Sequence, residues 1–106
     1  GDRLSSMIRI AGKRESLGNL NYHLNEIHGV QDGCFIQQRS DYRELGRLEA
    51  VVVAPNVAPS TIIEALSNRL DAAFIPRRIY FIDSLPMDET GKISRDELLK
   101  LINSAP

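Results

Sequence analysis

Apolar residues in the first third of the chain follow spacings that predict a hairpin and a helix. The segment "MIRI" (Met7–Ile10) alternates apolar and polar positions and precedes Gly12, which predicts a short hairpin. In the segment that follows, four apolar residues recur at steps of three, four and three: Leu17, Leu20, Leu24 and Ile27. This spacing predicts an amphipathic helix, and Gly29 is placed to end it with a left-handed residue.

The remainder of the chain shows three strand patterns and two helix patterns. "VQDGCFIQQ" predicts a strand, and the run "AVVVA" (residues 50–54) predicts a strand that is covered on both faces. "STIIEALSNRL" predicts a helix with Ser60 as its N-cap and with a buried stripe of Ile63, Leu66 and Leu70. "RRIYFIDSLP" predicts a third strand at about residues 78–82, and "SRDELLKLI" predicts a last short helix.

The order of these elements bounds the fold class. The chain has 106 residues, which is the size of one ordinary domain. A mixed order of helices and strands with a small sheet predicts an α+β domain of two layers. We therefore expect a sheet of about three strands packed against helices, with an N-terminal β-hairpin.

Composition excludes several function classes. Hydrophobic residues make up 42% of the chain and charged residues 25%, which is typical of a globular domain. The net charge of −1 argues against nucleic acid as a partner, and no apolar run approaches the roughly 20 residues of a membrane span. The one cysteine, Cys34, is expected to be a buried hydrophobe, and its isolation fits the cytoplasm. His23 and His28 are five residues apart, a spacing that does not favour a metal site.

The segment "PMDETGKISRDE" (residues 86–97) crowds acidic, glycine, lysine and hydroxyl residues together and has three interpretations. An EF-hand calcium loop with Gly91 at its sixth position needs an oxygen ligand where Pro86 stands, and it needs an entering helix. A phosphate-binding P-loop needs a glycine in place of Pro86 and a hydroxyl residue in place of Ile93. The sequence disfavours both, although a degenerate calcium loop stays open as an alternative.

The third interpretation is a turn that leads into the last helix. Ser94 and Glu97 have the spacing of a capping box, and Gly91 supplies the backbone angle that such a turn needs. Lys92 then lies between the turn glycine and the helix cap, so that its backbone is fixed while its ammonium reaches outward. A lysine held in this way can stabilise a developing negative charge, although composition alone favours a solvated surface lysine.

The same segment resembles the last core motif of the adenylate-forming superfamily, which comprises acyl- and aryl-CoA synthetases, nonribosomal peptide adenylation domains and luciferases. The residues that fit this motif are Pro86, Gly91, Lys92, Ile93 and Arg95. The start of the chain is similar to a second motif of the family, and the residues in register with it are Arg3, Ile8, Arg9, Gly12 and Arg14. The resemblance covers nearly the whole chain, in the family's order, and is to its small C-terminal domain.

The resemblance implies a role for Lys92 in the first reaction of the family. There, a large N-terminal domain binds ATP with Mg²⁺ and a carboxylic acid, and the small domain closes over it. The lysine that matches Lys92 contacts the substrate carboxylate and the α-phosphate region, and it favours formation of acyl-adenylate and pyrophosphate. Pro86 and Gly91 are the supporting residues of this motif.

The resemblance also implies a second orientation, in which a phosphopantetheine thiol of CoA or of an acyl carrier protein reaches the adenylate. In that orientation the hairpin residues Ala11, Gly12 and Lys13 would line the approach of the thiol. Arg3 matches the arginine at the domain junction. The hinge position, which is usually Asp or Lys in the family, is Ser5 here, and this chain departs from the family's pattern at that position.

We therefore expect residues 1–6 to be a hinge or linker remnant and residues 7–106 to be the C-terminal mobile domain of an AMP-forming acid ligase. The chain begins without methionine, which fits a fragment that is inactive without its N-terminal domain. The expected partners are that adenylation domain and either CoA or an acyl carrier protein. The alternative is a non-catalytic module that docks a carrier protein, or the degenerate calcium-binding loop.

Overall fold

The computed structural model describes residues 7–37 and 47–104. Its strands are β1 (Met7–Ile10), β2 (Lys13–Ser16), β3 (Asp32–Gln37), β4 (Leu48–Val53) and β5 (Ile79–Phe81). Its helices are α1 (Leu17–Asn25), α2 (Pro59–Ser67) and α3 (Arg95–Asn103), with a 3-10 turn over Ala72–Phe74. In these two ranges no helix is both long and apolar enough to cross a membrane.

Strand β4 forms the centre of a three-stranded mixed sheet with the order β3-β4-β5. It is antiparallel to β3, where Cys34 lies opposite Val51, and parallel to β5, where Val51 lies opposite Tyr80. Every residue of β4 is buried, which confirms the prediction from its continuous apolar run. Strands β1 and β2 form a separate antiparallel hairpin.

Helices cover both faces of this sheet. One face carries α1 and α2, and its buried cluster includes Ile8, Leu20, Leu24, Phe35, Val52, Ile62 and Leu66. The other face carries α3, and its cluster comprises Cys34, Ile36, Val51, Val53, Leu85, Leu98 and Ile102. The α+β class, the hairpin and the three-stranded sheet are confirmed. Helices lie on both sides of the sheet, where the sequence predicted two layers. This arrangement arises because β4 carries buried apolar residues on both of its faces.

Helix α1 also covers the outer edge of β3. Asn21 Oδ1 accepts a hydrogen bond from Phe35 N–H at 2.7 Å, and Asn25 Nδ2 donates to Gly33 O at 2.9 Å. The two asparagines are one helical turn apart and therefore share a face. An added Cβ at Gly33 would lie 3.0 Å from Leu24 Cδ2, so the glycine permits the close approach of helix and strand. The asparagines thus satisfy backbone groups that an edge strand leaves open.

Two predicted helix ends are wrong. Helix α1 ends at Asn25 with Glu26 as its C-cap, and Gly29, although left-handed at φ +94°, lies in the later turn toward β3. Helix α2 begins at Pro59 after Ala58, which makes no side-chain capping bond. Ser60 is therefore inside the helix, because the fixed φ of proline suits the first helical position.

Candidate functional site

The segment that contains Lys92 folds back on itself as a narrow turn. The base of the turn is an antiparallel bridge between Met87 and Ile93. Next to this bridge, Ser94 N–H donates a hydrogen bond to Pro86 O at 2.9 Å. Pro86, a predicted motif residue, therefore lies at the base of the turn and supplies one of its acceptors.

The tip of the turn is closed by backbone hydrogen bonds around Gly91. Asp88 N–H donates to Lys92 O at 2.7 Å, and Gly91 N–H donates to Asp88 O at 3.0 Å. Gly91 has a φ of +83°, and no heavy atom lies within 4 Å of the position that a Cβ would take. The backbone angle, and not a lack of space, is therefore what favours glycine at this position.

The carboxylate of Asp88 fastens the turn from within. Its Oδ1 accepts hydrogen bonds from Thr90 Oγ1 at 2.7 Å, from Thr90 N–H at 2.8 Å and from Lys92 N–H at 3.0 Å. The bond from the Thr90 hydroxyl, followed by that from the Lys92 backbone, holds the pKa of Asp88 below its usual value. The sequence interpretation treated Asp88 as an ordinary turn residue, although aspartate two residues before a hydroxyl residue is a signal for this kind of turn.

Helix α3 begins directly after the turn, and only half of the predicted capping box forms. Ser94 Oγ accepts from Glu97 N–H at 3.4 Å, as a capping serine does. The expected return bond from Glu97 to Ser94 N–H is absent, because that N–H donates to Pro86 O. The Glu97 carboxylate instead lies 3.5 Å from Lys100 Nζ. The serine cap is confirmed, and the reciprocal role of Glu97 is wrong.

The segment that carries Lys92 contacts the sheet through two residues that follow it, Arg95 and Leu98. Arg95 Nη2 donates to Gln37 O, at the end of β3, at 2.9 Å. Leu98, which is 2% exposed, packs in the cluster on the α3 face. Lys92 itself is exposed, and among residues 7–37 and 47–104 its ammonium has no carboxylate partner. The structure therefore presents an exposed ammonium on a hydrogen-bonded backbone, as the sequence predicts.

The second candidate element is the turn of the N-terminal hairpin. Ala11 and Gly12 have φ values of +54° and +78°, and they connect Ile10 and Lys13, which are paired across the two strands. Two positive angles are typical of a type I′ hairpin turn. Both turn residues are exposed, so their backbone is accessible to a partner.

Lys13 is tied to a neighbouring element. Its ammonium lies 3.2 Å from Asp71 Oδ2, and Asp71 Oδ1 accepts from Ala73 N–H at 2.9 Å. The backbone bond from Ala73, together with the contact with Lys13, lowers the pKa of Asp71. Lys13 therefore links the hairpin to the 3-10 turn that follows α2.

The structure does not bring the hairpin and the Lys92 turn together. The hairpin packs through Ile8 on the face that carries α1 and α2, whereas Leu85 and Leu98 hold the Lys92 turn to the α3 face. The remaining two predicted site residues, Arg3 and Ser5, lie outside the described residues. The predicted site residues thus form two separate groups on opposite faces of the sheet.

Neither metal chemistry nor thiol chemistry finds support elsewhere in the described ranges. They hold no group of three or more His, Cys, Asp or Glu side chains that could bind a metal ion. The segment before the turn is the strand β5 and the Met87 bridge, whereas an EF-hand needs a helix there. Cys34 is 4% exposed, and burial raises its pKa to about 11, which confirms it as a core residue.

Comparisons with known proteins place this geometry in context. No protein-family model matches the sequence. Chondramide synthase cmdD of Chondromyces crocatus is 33% identical over 99 residues, which cover 91% of this chain. The L-allo-isoleucine:holo-(CmaA peptidyl-carrier protein) ligase of Pseudomonas savastanoi pv. glycinea is 26% identical over 101 residues, again 91% of the chain. Among solved structures, a Mycobacterium tuberculosis fatty acyl CoA synthetase superposes with a TM-score of 0.77 at 25% identity over 93% of the chain.

The matched region is a small part of each of these proteins. It spans 2% of the chondramide synthase, 17% of the ligase and 20% of the acyl-CoA synthetase. The resemblance that the motifs indicate is thereby confirmed. The neighbours are adenylation domains and acyl-CoA synthetases that match nearly the whole chain, and its sequence and fold are consistent with a C-terminal domain of the adenylate-forming superfamily.

Proposed function

We propose that this chain is the mobile C-terminal domain of an AMP-forming acid ligase. In this proposal it closes over an N-terminal adenylation domain that binds ATP, Mg²⁺ and a carboxylic acid. The observation that carries the proposal is the Lys92 turn, which holds an exposed ammonium on a hydrogen-bonded backbone, with no carboxylate partner among residues 7–37 and 47–104. The similarity to adenylate-forming enzymes along nearly the whole chain supports it.

Lys92 is the adenylation lysine in this proposal. A carboxylate oxygen of the acid attacks the α-phosphorus of ATP, a new O–P bond forms, and pyrophosphate leaves. Negative charge is shared among the α-phosphate oxygens during this step. An ammonium that is already in place stabilises that charge without reorganisation, and the effect grows when domain closure excludes water. Lys92 has no competing carboxylate partner in the described ranges, so it reaches the substrate without breaking an ion pair.

In this proposal the hairpin acts in the second reaction, which is thioester formation. A thiol of CoA or of carrier-bound phosphopantetheine attacks the acyl carbonyl, a thioester forms, and AMP leaves. Ala11 and Gly12 line the approach of the thiol with exposed backbone, and Lys13, held by Asp71, lies beside them. Because this hairpin and the Lys92 turn are on opposite faces of the sheet, one domain orientation cannot present both to the same site. The proposal therefore includes a swing of the whole domain, and the resemblance to the family assigns its hinge to Ser5 and the domain junction to Arg3.

Replacement of Lys92 tests the proposal in the enzyme that contains this chain. We expect Lys92→Ala to lower acid-dependent pyrophosphate exchange by about 10²-fold or more, the usual cost of removing such a donor. Thioester formation from preformed acyl-adenylate should be spared. Lys100→Ala is the matched control, because it removes an exposed lysine of α3 whose contact with Glu97 is weak. Normal exchange in the Lys92→Ala enzyme would refute the assignment and favour a non-catalytic docking module.

A further inference from the structure

We propose that Asp88 is a positioning residue for Lys92, because its carboxylate holds the turn in the conformation from which the ammonium reaches the reacting phosphate. The inference rests on the proposed function, since positioning has no meaning without an adenylation role for Lys92. It adds a residue that makes no contact with substrate and acts through the lysine alone.

Asp88 and Lys92 are joined in both directions across the turn. The backbone N–H of Asp88 donates to Lys92 O at 2.7 Å, and the backbone N–H of Lys92 donates to Asp88 Oδ1 at 3.0 Å. These two bonds fix the peptide groups on either side of the lysine Cα. The Asp88 carboxylate therefore supplies one of the two bonds that set the direction in which the lysine side chain leaves the backbone.

Few other contacts hold the tip of the turn. Asp88, Glu89, Thr90 and Gly91 are all exposed, and the space around a Cβ at Gly91 is open. Burial therefore does not fix this conformation, and hydrogen bonds have to do so. Among the described residues, the Asp88 carboxylate accepts all three side-chain bonds at the tip, two of them from Thr90 and one from Lys92.

The charge of Asp88 is directed at the backbone and leaves the ammonium available. Hydrogen bonds to an ionised acceptor are about twice as strong as neutral ones, so a carboxylate suits an exposed turn. The Lys92 ammonium does not form an ion pair with it, since no such contact occurs within residues 7–37 and 47–104. Asp88 thus bonds to the lysine backbone without a close ion pair to the ammonium, and the lysine charge makes only a minor contribution to the lowered pKa of Asp88.

A set of variants in the full-length enzyme tests the inference, with pyrophosphate exchange and thioester formation from acyl-adenylate measured in parallel. Asp88→Ala should lower exchange by roughly 10- to 100-fold, because displacing a catalytic group by about 1 Å costs up to about 10²-fold. Asp88→Asn keeps an accepting oxygen and should restore most of the exchange. Glu89→Ala is the matched control, because it removes the adjacent exposed carboxylate, for which no hydrogen bond occurs in the described ranges. Thioester formation should be unchanged in all three variants.

The double variant Asp88→Ala/Lys92→Ala decides whether Asp88 acts through the lysine. Groups that act as one unit are not additive, so the double variant should be no slower in exchange than Lys92→Ala alone. Multiplied losses would overturn the inference, as would normal exchange in Asp88→Ala or an equal fall in both half-reactions. If Lys92→Ala itself exchanges normally, the proposed function fails first. If Lys92→Ala loses pyrophosphate exchange but Asp88→Ala exchanges normally, only the positioning role of Asp88 fails.

Discussion

Truncation of two leucines on α3 measures how firmly the Lys92 turn is mounted on the sheet. Leu98 is 2% exposed and Leu101 is 45% exposed. Leu98→Ala removes about three methylene equivalents at about 0.8 kcal/mol each. The residual cavity raises the expected cost to about 3 kcal/mol. Leu101→Ala loses roughly half of the transfer free energy and leaves no cavity, so we expect about 1 kcal/mol. The change in helix propensity is the same at both positions, and the difference therefore isolates burial.

Urea and thermal unfolding of the chain measure both variants. A loss of about 3 kcal/mol is a large share of the roughly 5–15 kcal/mol that stabilises a domain of this size. Each kcal/mol lowers the melting temperature by about 4–8 °C in such a domain, so Leu98→Ala should melt at least about 10 °C below the parent. Equal shifts for Leu98→Ala and Leu101→Ala would refute the docking of α3 on β4, and with it the rigid mount of Lys92.

Two further predictions concern the turns. Ala11 has a φ of +54°, a backbone angle that costs alanine about 1 kcal/mol. Asparagine tolerates this angle better, so Ala11→Asn should raise the free energy of unfolding, measured by urea titration, by about 0.5–1 kcal/mol. A decrease would contradict the type I′ assignment. Hydrogen bonds from Ala73 N–H to Asp71 and from the Thr90 hydroxyl to Asp88 lower both pKa values below 3.8. Their stabilisation is therefore complete above about pH 3.8 and is lost as the pH falls below it. The double variant Asp71→Asn/Asp88→Asn should show a shallower loss of stability in that range, and an unchanged acid transition would contradict these contacts.

The sequence predicts the strands and the existence of each helix better than it predicts helix ends. The β-branched apolar run in β4 favours a strand with two covered faces, and every residue of that strand is buried. In α2, the predicted buried stripe of Ile63, Leu66 and Leu70 is wrong at Ile63, because the adjacent Ile62 takes the buried position. Packing selects Ile62 with Leu66 as the buried pair and leaves Ile63 partly exposed. Local spacing alone cannot make that choice.

The end of α1 illustrates a different limit. The apolar spacing continues to Ile27, and Gly29 carries a left-handed φ, so the sequence favours a longer helix. The helix stops at Asn25, whose side chain bonds to Gly33 on β3. The sequence alone does not indicate that Asn25 contacts Gly33, because this hydrogen bond depends on how α1 packs against β3.

The Lys92 turn is likewise only partly predictable from the sequence. Gly91 and the Ser94 cap follow from local rules, and both are present. The role of Asp88 depends on three donors that converge on one oxygen, which residue order alone does not specify. Glu97 has the spacing of a capping box, but its partner N–H is taken by Pro86 O. A single competing backbone acceptor is therefore enough to prevent one of the two hydrogen bonds of a capping box.

The two candidate turns differ in how they are held, and this difference matches the chemistry proposed for each. The Lys92 turn is fastened from within by a carboxylate and two-way bonds to the lysine backbone. The hairpin turn has its strand ladder and the Lys13–Asp71 pair, whose side chains are 55% and 43% exposed, and solvent screens an ion pair that is exposed to this extent. A group that stabilises charge must be in place before reaction, whereas a passage for a thiol needs only accessible backbone. In the proposed function, the turn that is fastened from within by a side chain is the one that places the charged group.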